Sequence, residues 1–340
     1  MKITMSKAPL ITAVIAAVLV CFTQVRASEV YCASSTLYII DDAEAKVIGS
    51  IPIGKWIYNI TISEDGKYAY LGASNGVNIM NIKERKIEGL LTDKPGFVVK
   101  IDPQGDRILV LSNDRTVHPD GTVEPMPSRV MLHDASNNAL ERTIELDRIV
   151  FDIVYVPERD RLYCLDIIES ELLVIQFTSG AEIETIHLGD FGFDYKEQVQ
   201  GFLWRMIRDR KGEKIYIPQG GNDAGLLILD TSTNNVRRLA LDHEAKWRGG
   251  VLSPDGKKLY LNAVRRLSVI DLGMEAELAW KPLDVPYQEI AIDATGKKLY
   301  MSNPIYDTGG SLAIFDAVTL EPIERVVLPD ASPYAVAASR

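Results

Sequence analysis

Histidine and cysteine are scarce in this chain, with four and three among 340 residues. No Cys-x-x-Cys-His occurs, which excludes a covalently attached c-type haem on this polypeptide. Neither His-Glu-x-x-His nor Gly-x-Ser-x-Gly is present, so the short zinc and nucleophile-elbow signatures are missing. The histidines, His118, His133, His187 and His243, fall at unrelated places. Such absences bear on linear motifs only, since a catalytic site can assemble from residues far apart in sequence. Positive charge is also short. Lys and Arg number 37 against 47 Asp and Glu, a net charge of −10, which disfavours nucleic-acid binding because phosphate neutralisation needs a basic face. Gly220-Gly221 and Gly309-Gly310 do not lead from a strand into a helix, so they read as turns and not as a phosphate cradle. Beyond the N-terminus no long stretch carries a helical period.

What the chain does have is a repeated phrase. It reads Ser63-Glu-Asp-Gly-Lys-Tyr-Ala-Tyr70, Asp102-Pro-Gln-Gly-Asp-Arg-Ile-Leu109, Asp209-Arg-Lys-Gly-Glu-Lys-Ile-Tyr216, Ser253-Pro-Asp-Gly-Lys-Lys-Leu-Tyr260 and Asp293-Ala-Thr-Gly-Lys-Lys-Leu-Tyr300. A degenerate copy is Val156-Pro-Glu-Arg-Asp-Arg-Leu-Tyr163. A tight turn between short β-branched runs is a hairpin signal, and recurrence every ~40–50 residues marks a propeller or solenoid. A second hairpin follows each phrase, marked by Asp41, Asn81, Asp134, Phe177, Asp230, Asp271 and Asp316. Seven second hairpins stand against six first hairpins. A spare strand lies in Pro333-Tyr-Ala-Val-Ala-Ala338. The expectation is an all-β, seven-bladed β-propeller over residues 28–340, closed by pairing of the C-terminal strand with blade one, which leaves no open sheet edge.

Residues 1–27 read as a signal peptide, with Lys2 and Lys7 ahead of an apolar stretch from Leu10 to Phe22 and Val25-Arg26-Ala27 as the cleavage site. The stretch is short for a membrane span. Cys21 raises a lipoprotein alternative, against which Val20 is a poor fit. The expectation is a soluble periplasmic protein cut near Ala27. Cys32 and Cys164 belong to blades nearly opposite each other, too far apart for a disulfide, whose Cα atoms must lie within about 7 Å. Both read as small buried residues.

In a four-stranded blade the hairpin turns of the phrase share one face with the third-to-fourth turns. The second-to-third loops and the links between blades share the other. The second face carries the irregularities: Asn113 to Ser128 with Arg115 and His118, Gly189 to Phe202 with Phe191, Phe193 and Tyr195, and the swellings Gln219 to Gly225 and Pro304 to Gly310. Long loops on a rigid scaffold are where function concentrates. The inner strands begin on this face behind aromatic residues, Tyr58, Phe97, Phe151, Trp204, Trp247, Tyr287 and Tyr334. Beside them stand Asn59, Asp152, Arg205, Arg248, Gln288 and Glu289. Packing between blades and pairing around the tunnel mouth is one account of these residues. The other is a partner-binding face made by Tyr58, Asn59, Phe97, Asp152, Trp204, Arg205, Trp247, Arg248, Tyr287 and Gln288, with Arg115 and His118 at the rim, since Tyr, Trp and Arg are enriched at binding hot spots. A metal-dependent hydrolase or lactonase at the mouth is a third reading. Asp152, Glu289 and Asn59 could ligate a cation there, but Arg205 and Arg248 would repel it.

The Ser/Asp-Pro-Asp-Gly-Lys-Lys-Leu-Tyr phrases resemble the YVTN-type seven-bladed propellers over nearly the whole chain after the signal peptide. A narrower resemblance is to the β subunit of quinohemoprotein amine dehydrogenase. It rests on size and export signal, on Ser112-Asn-Asp-Arg-Thr through Pro125-Met-Pro-Ser-Arg-Val130, and on the last blade from Gly296-Lys-Lys-Leu-Tyr300 through Leu312-Ala-Ile-Phe-Asp316 to Val327-Leu-Pro329. That resemblance implies a non-catalytic propeller scaffolding a dihaem cytochrome subunit and a small quinone-bearing subunit. Haem c and a tryptophylquinone would sit on those partners, with no cofactor, metal or catalytic residue on this chain. The methylamine dehydrogenase heavy chain is a related alternative, and a stand-alone exported binding propeller is another.

Overall fold

The computed structural model describes residues 29–117, 123–193, 205–220, 225–241, 247–304, 310–329 and 332–339. Its strands form seven antiparallel sheets of four, the seven-bladed ring expected from the repeat. Blades 2 to 7 run outward from the inner strands Ile57–Ile62, Val98–Ile101, Asp152–Val156, Ile207–Arg208, Trp247–Leu252 and Ile290–Ile292. Blade 1 is built from both ends of the chain. Glu29–Ala33, Thr36–Asp41 and Lys46–Pro52 supply three strands, and Ala335–Ala338 is the inner one. Val30 to Ala33 pair antiparallel with Ala338 to Ala335. The Glu29 N–H donates to Ser339 Oγ at 2.9 Å, and the Ser339 N–H to the Glu29 carbonyl at 2.8 Å.

A blade has neighbours on both sides, so its central strands are buried on both faces and read as unbroken apolar runs. Leu226 to Leu229 is such a run. Among the described residues seven apolar clusters form, one at each junction between adjacent blades. The closing junction, between blades 7 and 1, contains Val30, Cys32, Ile40, Tyr300, Leu312, Ile314 and Val336. Each fully buried side chain of this kind contributes about 1.5–3 kcal/mol. Cys32 and Cys164 are buried free thiols, and burial pushes both thiols up.

The phrase explains its own turn. In Ser253-Pro-Asp-Gly-Lys-Lys, the Ser253 carbonyl accepts from Gly256 N–H at 2.8 Å and Ser253 Oγ from Lys258 N–H at 2.9 Å, while Asp255 Oδ1 accepts from Lys257 N–H at 3.0 Å. The Gly256 φ of +71° lies in the left-handed region that glycine enters without penalty. In the degenerate copy Asp160 takes this conformation at φ +52°, which Asp tolerates better than most residues. Where the phrase begins with Asp, its carboxylate replaces the serine hydroxyl: Asp293 Oδ1 accepts from Lys297 and Lys298 N–H at 2.7 and 2.8 Å.

The end of the phrase fastens each blade to the next. Tyr163 of blade 4 donates its hydroxyl to Asn234 Oδ1 of blade 5 at 2.8 Å, and Arg161 reaches the same oxygen at 3.0 Å. Tyr300 and Lys298 of blade 7 reach Asp42 Oδ1 of blade 1 at 2.7 and 2.9 Å. Tyr260 of blade 6 donates to the Ala317 carbonyl of blade 7 at 3.0 Å. Arg161, Lys214 and Lys298, each two places before the phrase tyrosine, thus place their polar ends on the outer turn of the following blade. One second-hairpin marker shifts by a residue. In blade 4 Gln176, and not Phe177, occupies the Asp position, because its N–H donates to the Ala181 carbonyl and its carbonyl accepts from Gly180 N–H, the same turn pattern that Asp134 and Asp230 make in their blades. Phe177 instead turns inward and stacks on Tyr155 with ring centroids 3.9 Å apart.

Deleting Pro333 onward removes the inner strand of blade 1 and opens the junctions on both sides of it. The truncated chain is expected to lose its cooperative melting transition in circular dichroism, and retention of a wild-type transition would refute the closure. A second outcome concerns pH. Burial of Asp293 opposes its ionisation, but the Lys298 and Lys297 amides and the Thr295 hydroxyl hold its carboxyl below the usual range. A depressed native value contributes stability above the ordinary Asp value, lost as pH falls through the native one. The Tm of D293N is therefore expected to lie below wild type at neutral pH, and the gap to close as pH falls below the ordinary Asp range.

Candidate functional site

A channel of about 380 Å³ runs along the ring axis, lined by inner-strand residues including Asn59, Thr61, Lys100, Asp152's neighbours Ile153 and Val154, Arg205, Gly250 and Glu289. Toward the loop face its charges pair across blades. Lys100 of blade 3 places Nζ 2.8 Å from Asp152 Oδ1 and 3.0 Å from Oδ2 of blade 4. Asp152 is fully buried, and its Oδ2 also accepts from Met206 N–H of blade 5 at 2.5 Å. Arg205 of blade 5 lies across the bore. Its Nε is 3.4 Å from Glu289 Oε1 of blade 7, and its Nη2 donates to the Tyr58 carbonyl of blade 2 at 3.3 Å. Burial lowers the Lys100 ammonium, with the Asp152 carboxylate pulling the other way. Burial raises Glu289 above the usual carboxyl range, and Arg205 opposes this.

The sequence-derived residues divide into three groups. Asn59, Asp152, Arg205, Arg248 and Gln288 converge on the channel mouth. Asn59 is buried there and structural: its Oδ1 accepts from Val99 N–H at 3.0 Å and the Thr61 hydroxyl at 3.1 Å, joining blades 2 and 3. Tyr58 and Phe97 are half-buried on the rim with ring centroids 5.0 Å apart. Trp247 and Tyr287, by contrast, are 2% and 1% exposed and belong to the apolar clusters of the junctions 5/6 and 6/7. Tyr287 packs edge-on against Phe315 and accepts from Arg325 Nη2 at 3.2 Å. They hold the scaffold and leave contact to their neighbours. His118 and Trp204 lie outside the described residues.

The blade 3 insertion is not a loose loop. Its flanking strands, Arg107–Val117 and Val123–Asp134, continue past the blade as a projecting hairpin in which Val117 pairs with Val123 and Arg115 with Pro125. The link out of blade 4 is anchored by Leu188 and Phe193, both buried in the junction between blades 4 and 5, with Phe191 packed against it.

Two site residues escaped the sequence reading. Lys100 stands two places before Asp102, where the inner strands of blades 2 and 4 to 7 carry Thr61, Val154, Ile207, Val251 and Ala291; a lone cation within Val98-Val-Lys-Ile101 was the available signal. Trp56 is 43% exposed and meets Tyr334 edge-on at 5.2 Å. With Tyr58 and Phe97 these rings form an arc over blades 1 to 3. Among the described residues no three His, Cys, Asp or Glu side chains group closely enough to hold a metal.

No family model matches the chain. No curated protein matches it either. Solved structures do match in fold. A hydrazine synthase chain from Kuenenia stuttgartiensis is 16% identical with a TM-score of 0.65, over 84% of this chain and 90% of that one. A protein of unknown function from Desulfotomaculum acetoxidans is 12% identical with a TM-score of 0.70, over 92% and 99%. Dihydro-haem d1 dehydrogenase NirN in complex with DHE is 12% identical with a TM-score of 0.61, over 91% and 75%. These likenesses define the chain as a seven-bladed β-propeller and reach no further than the fold.

Replacing Lys100 by Met leaves a fully buried carboxylate facing no cation, and is expected to destabilise the protein by about 3 kcal/mol. K100M/D152N, which keeps the acceptor for Met206 N–H, is expected to recover most of this in urea denaturation. A neutral K100M would show that the pair contributes nothing.

Proposed function

We propose that this chain is a non-catalytic docking propeller, the scaffold subunit of an exported, amine dehydrogenase-like complex. The reading adopts the periplasmic setting and the partners that the sequence resemblance implies: a dihaem cytochrome subunit and a small subunit bearing a tryptophylquinone. The observation that carries it is the asymmetry of the two faces. One face bears the half-exposed arc Trp56, Tyr58, Phe97 and Tyr334 together with the projecting hairpin of blade 3. The other is a repeated set of short Asp-Gly turns. Exposed aromatics around a rigid rim suit a protein partner, and they lie over a channel whose carboxylates are already committed to cations.

That commitment disfavours the metal-hydrolase reading. A divalent cation between Asp152 and Glu289 would have to displace Lys100 and Arg205. One of the structural neighbours is named a dehydrogenase, but at 12% identity this adds nothing beyond the fold. A stand-alone exported binding propeller would use the same face with a different occupant.

Purification of the native protein from its own cells tests the proposal. A co-eluting protein with a c-type haem spectrum, and another positive in quinone redox-cycling stain, are expected. W56A, Y58A and F97A should each weaken retention of the partners by about 2 kcal/mol, roughly thirtyfold. K67A and K257A, in the turns of the opposite face, should leave it unchanged. A wild-type protein that brings down neither haem nor quinone protein would favour the stand-alone binder.

A further inference from the structure

The charge ledger of the channel mouth does not close. Lys100 is matched by Asp152 and Arg205 by Glu289. Among the described residues Arg248 has no such match. Its guanidinium is half-buried, and its Nε and Nη1 are buried without a hydrogen-bond partner. Among the described residues no carboxylate forms an ion pair with it. The ionisable side chain that acts on it is the Tyr334 phenol, and burial pulls the guanidinium below its ordinary value. Among the described residues three cations thus face two carboxylates, and one of those, Glu289, is shifted toward its neutral form by burial. In a chain of net charge −10, the mouth carries a local positive excess of about one charge.

The surroundings narrow what would complement it. Arg248 and Arg205 line one niche with Trp247, Gly249, Leu165, Ile217 and Pro218. Its volume is about 10 Å³, room for a single oxygen-sized group. One excess charge and one oxygen's room suit a monoanion better than a phosphate dianion. Guanidinium and carboxylate form strong charge-assisted hydrogen bonds. Arg205, the other guanidinium of this niche, reaches across the bore to the Tyr58 carbonyl at 3.3 Å, and Tyr334, which acts on Arg248, meets Trp56 edge-on at 5.2 Å, so the aromatic arc lies across the mouth from the niche.

We infer that the channel mouth is a binding site for a carboxylate carried on an apolar body, with Arg248 taking the carboxylate and the rings of Trp56, Tyr58 and Tyr334 taking the apolar part. A small organic acid and the free C-terminus of an apolar peptide share this chemistry. The site stands whether or not a protein partner covers the same face, and it can fail independently of that docking.

The test is calorimetric titration of the full-length protein with phenylacetate and with a pentapeptide ending in leucine, each against its uncharged amide and against inorganic phosphate. Saturable binding of at least one carboxylate is expected, with the matching amide at least tenfold weaker and phosphate weaker than the carboxylate. R248Q should lose tenfold or more in affinity while keeping the wild-type Tm, since it removes an unmatched charge. W56A should weaken phenylacetate, and K257A on the opposite face should bind as wild type. Binding of phenylacetate identifies a small acid as the source, and binding of the peptide alone identifies a chain terminus. Equal affinity in R248Q, equal affinity for acid and amide, or no saturable binding of either carboxylate overturns the inference. Partner loss in W56A or Y58A with carboxylate binding intact in K257A and wild type bears on docking alone.

Discussion

Every blade of this protein depends on its neighbours, because a four-stranded sheet with apolar residues on both faces cannot bury them by itself. The junction is therefore the unit of stability, and the sequence spends its repeated phrase on it. Side chains such as Tyr163, Tyr260 and Tyr300 are driven into the junction by burial, and each hydroxyl then finds an acceptor on the outer turn of the next blade. Hydrogen bonding makes that burial admissible, since a phenol left without a partner in the interior is costly. The seven junctions close only when the last blade meets the first, so geometry and stability share one condition.

Closing the ring also brings together charges that the sequence keeps far apart. Lys100, Asp152, Arg205 and Glu289 come from four blades and meet because every inner strand begins at the same mouth. Low dielectric makes such groups strongly interdependent. Their pairing leaves the mouth polar. Arg205, held at both ends, crosses the bore near the loop face, and from there the axial channel runs on to Asp102, Pro103, Arg208 and Leu252 at the phrase turns.

The fold was legible in the sequence because its information is local. A turn needs glycine or aspartate at a left-handed position and a hydroxyl or carboxylate to receive two amides, and Ser253 to Lys258 states all of this in six residues. Ring closure was legible from the spare strand at Ala335–Ala338. The site was legible only in outline. Aromatic identity marked where inner strands begin, but could not say that Trp247 points into a junction while Trp56 stays at the surface, because that choice depends on which side of a twisted strand faces the next blade. Lys100 was passed over because its meaning resides in Asp152, on a different blade. The marker at Phe177 slipped because Gln176, a weaker turn former than Asp, left the aromatic as the more conspicuous residue.

The shared blade carries a consequence for timing. Blade 1 takes three strands from the beginning of the ring and its innermost from the end. During synthesis the first three strands emerge early and wait, with Tyr31, Leu37 and Ile39 lacking Ala335 beside them, until the other six blades and the inner strand Ala335–Ala338 have been made. Contacts of such long sequence separation form slowly and late. The chain thus stays an open arc, with an unpaired edge at Glu29–Ala33, until that strand is in place. A chaperone that shields that one edge would protect the whole molecule during the interval in which it is most exposed to pairing with a second copy.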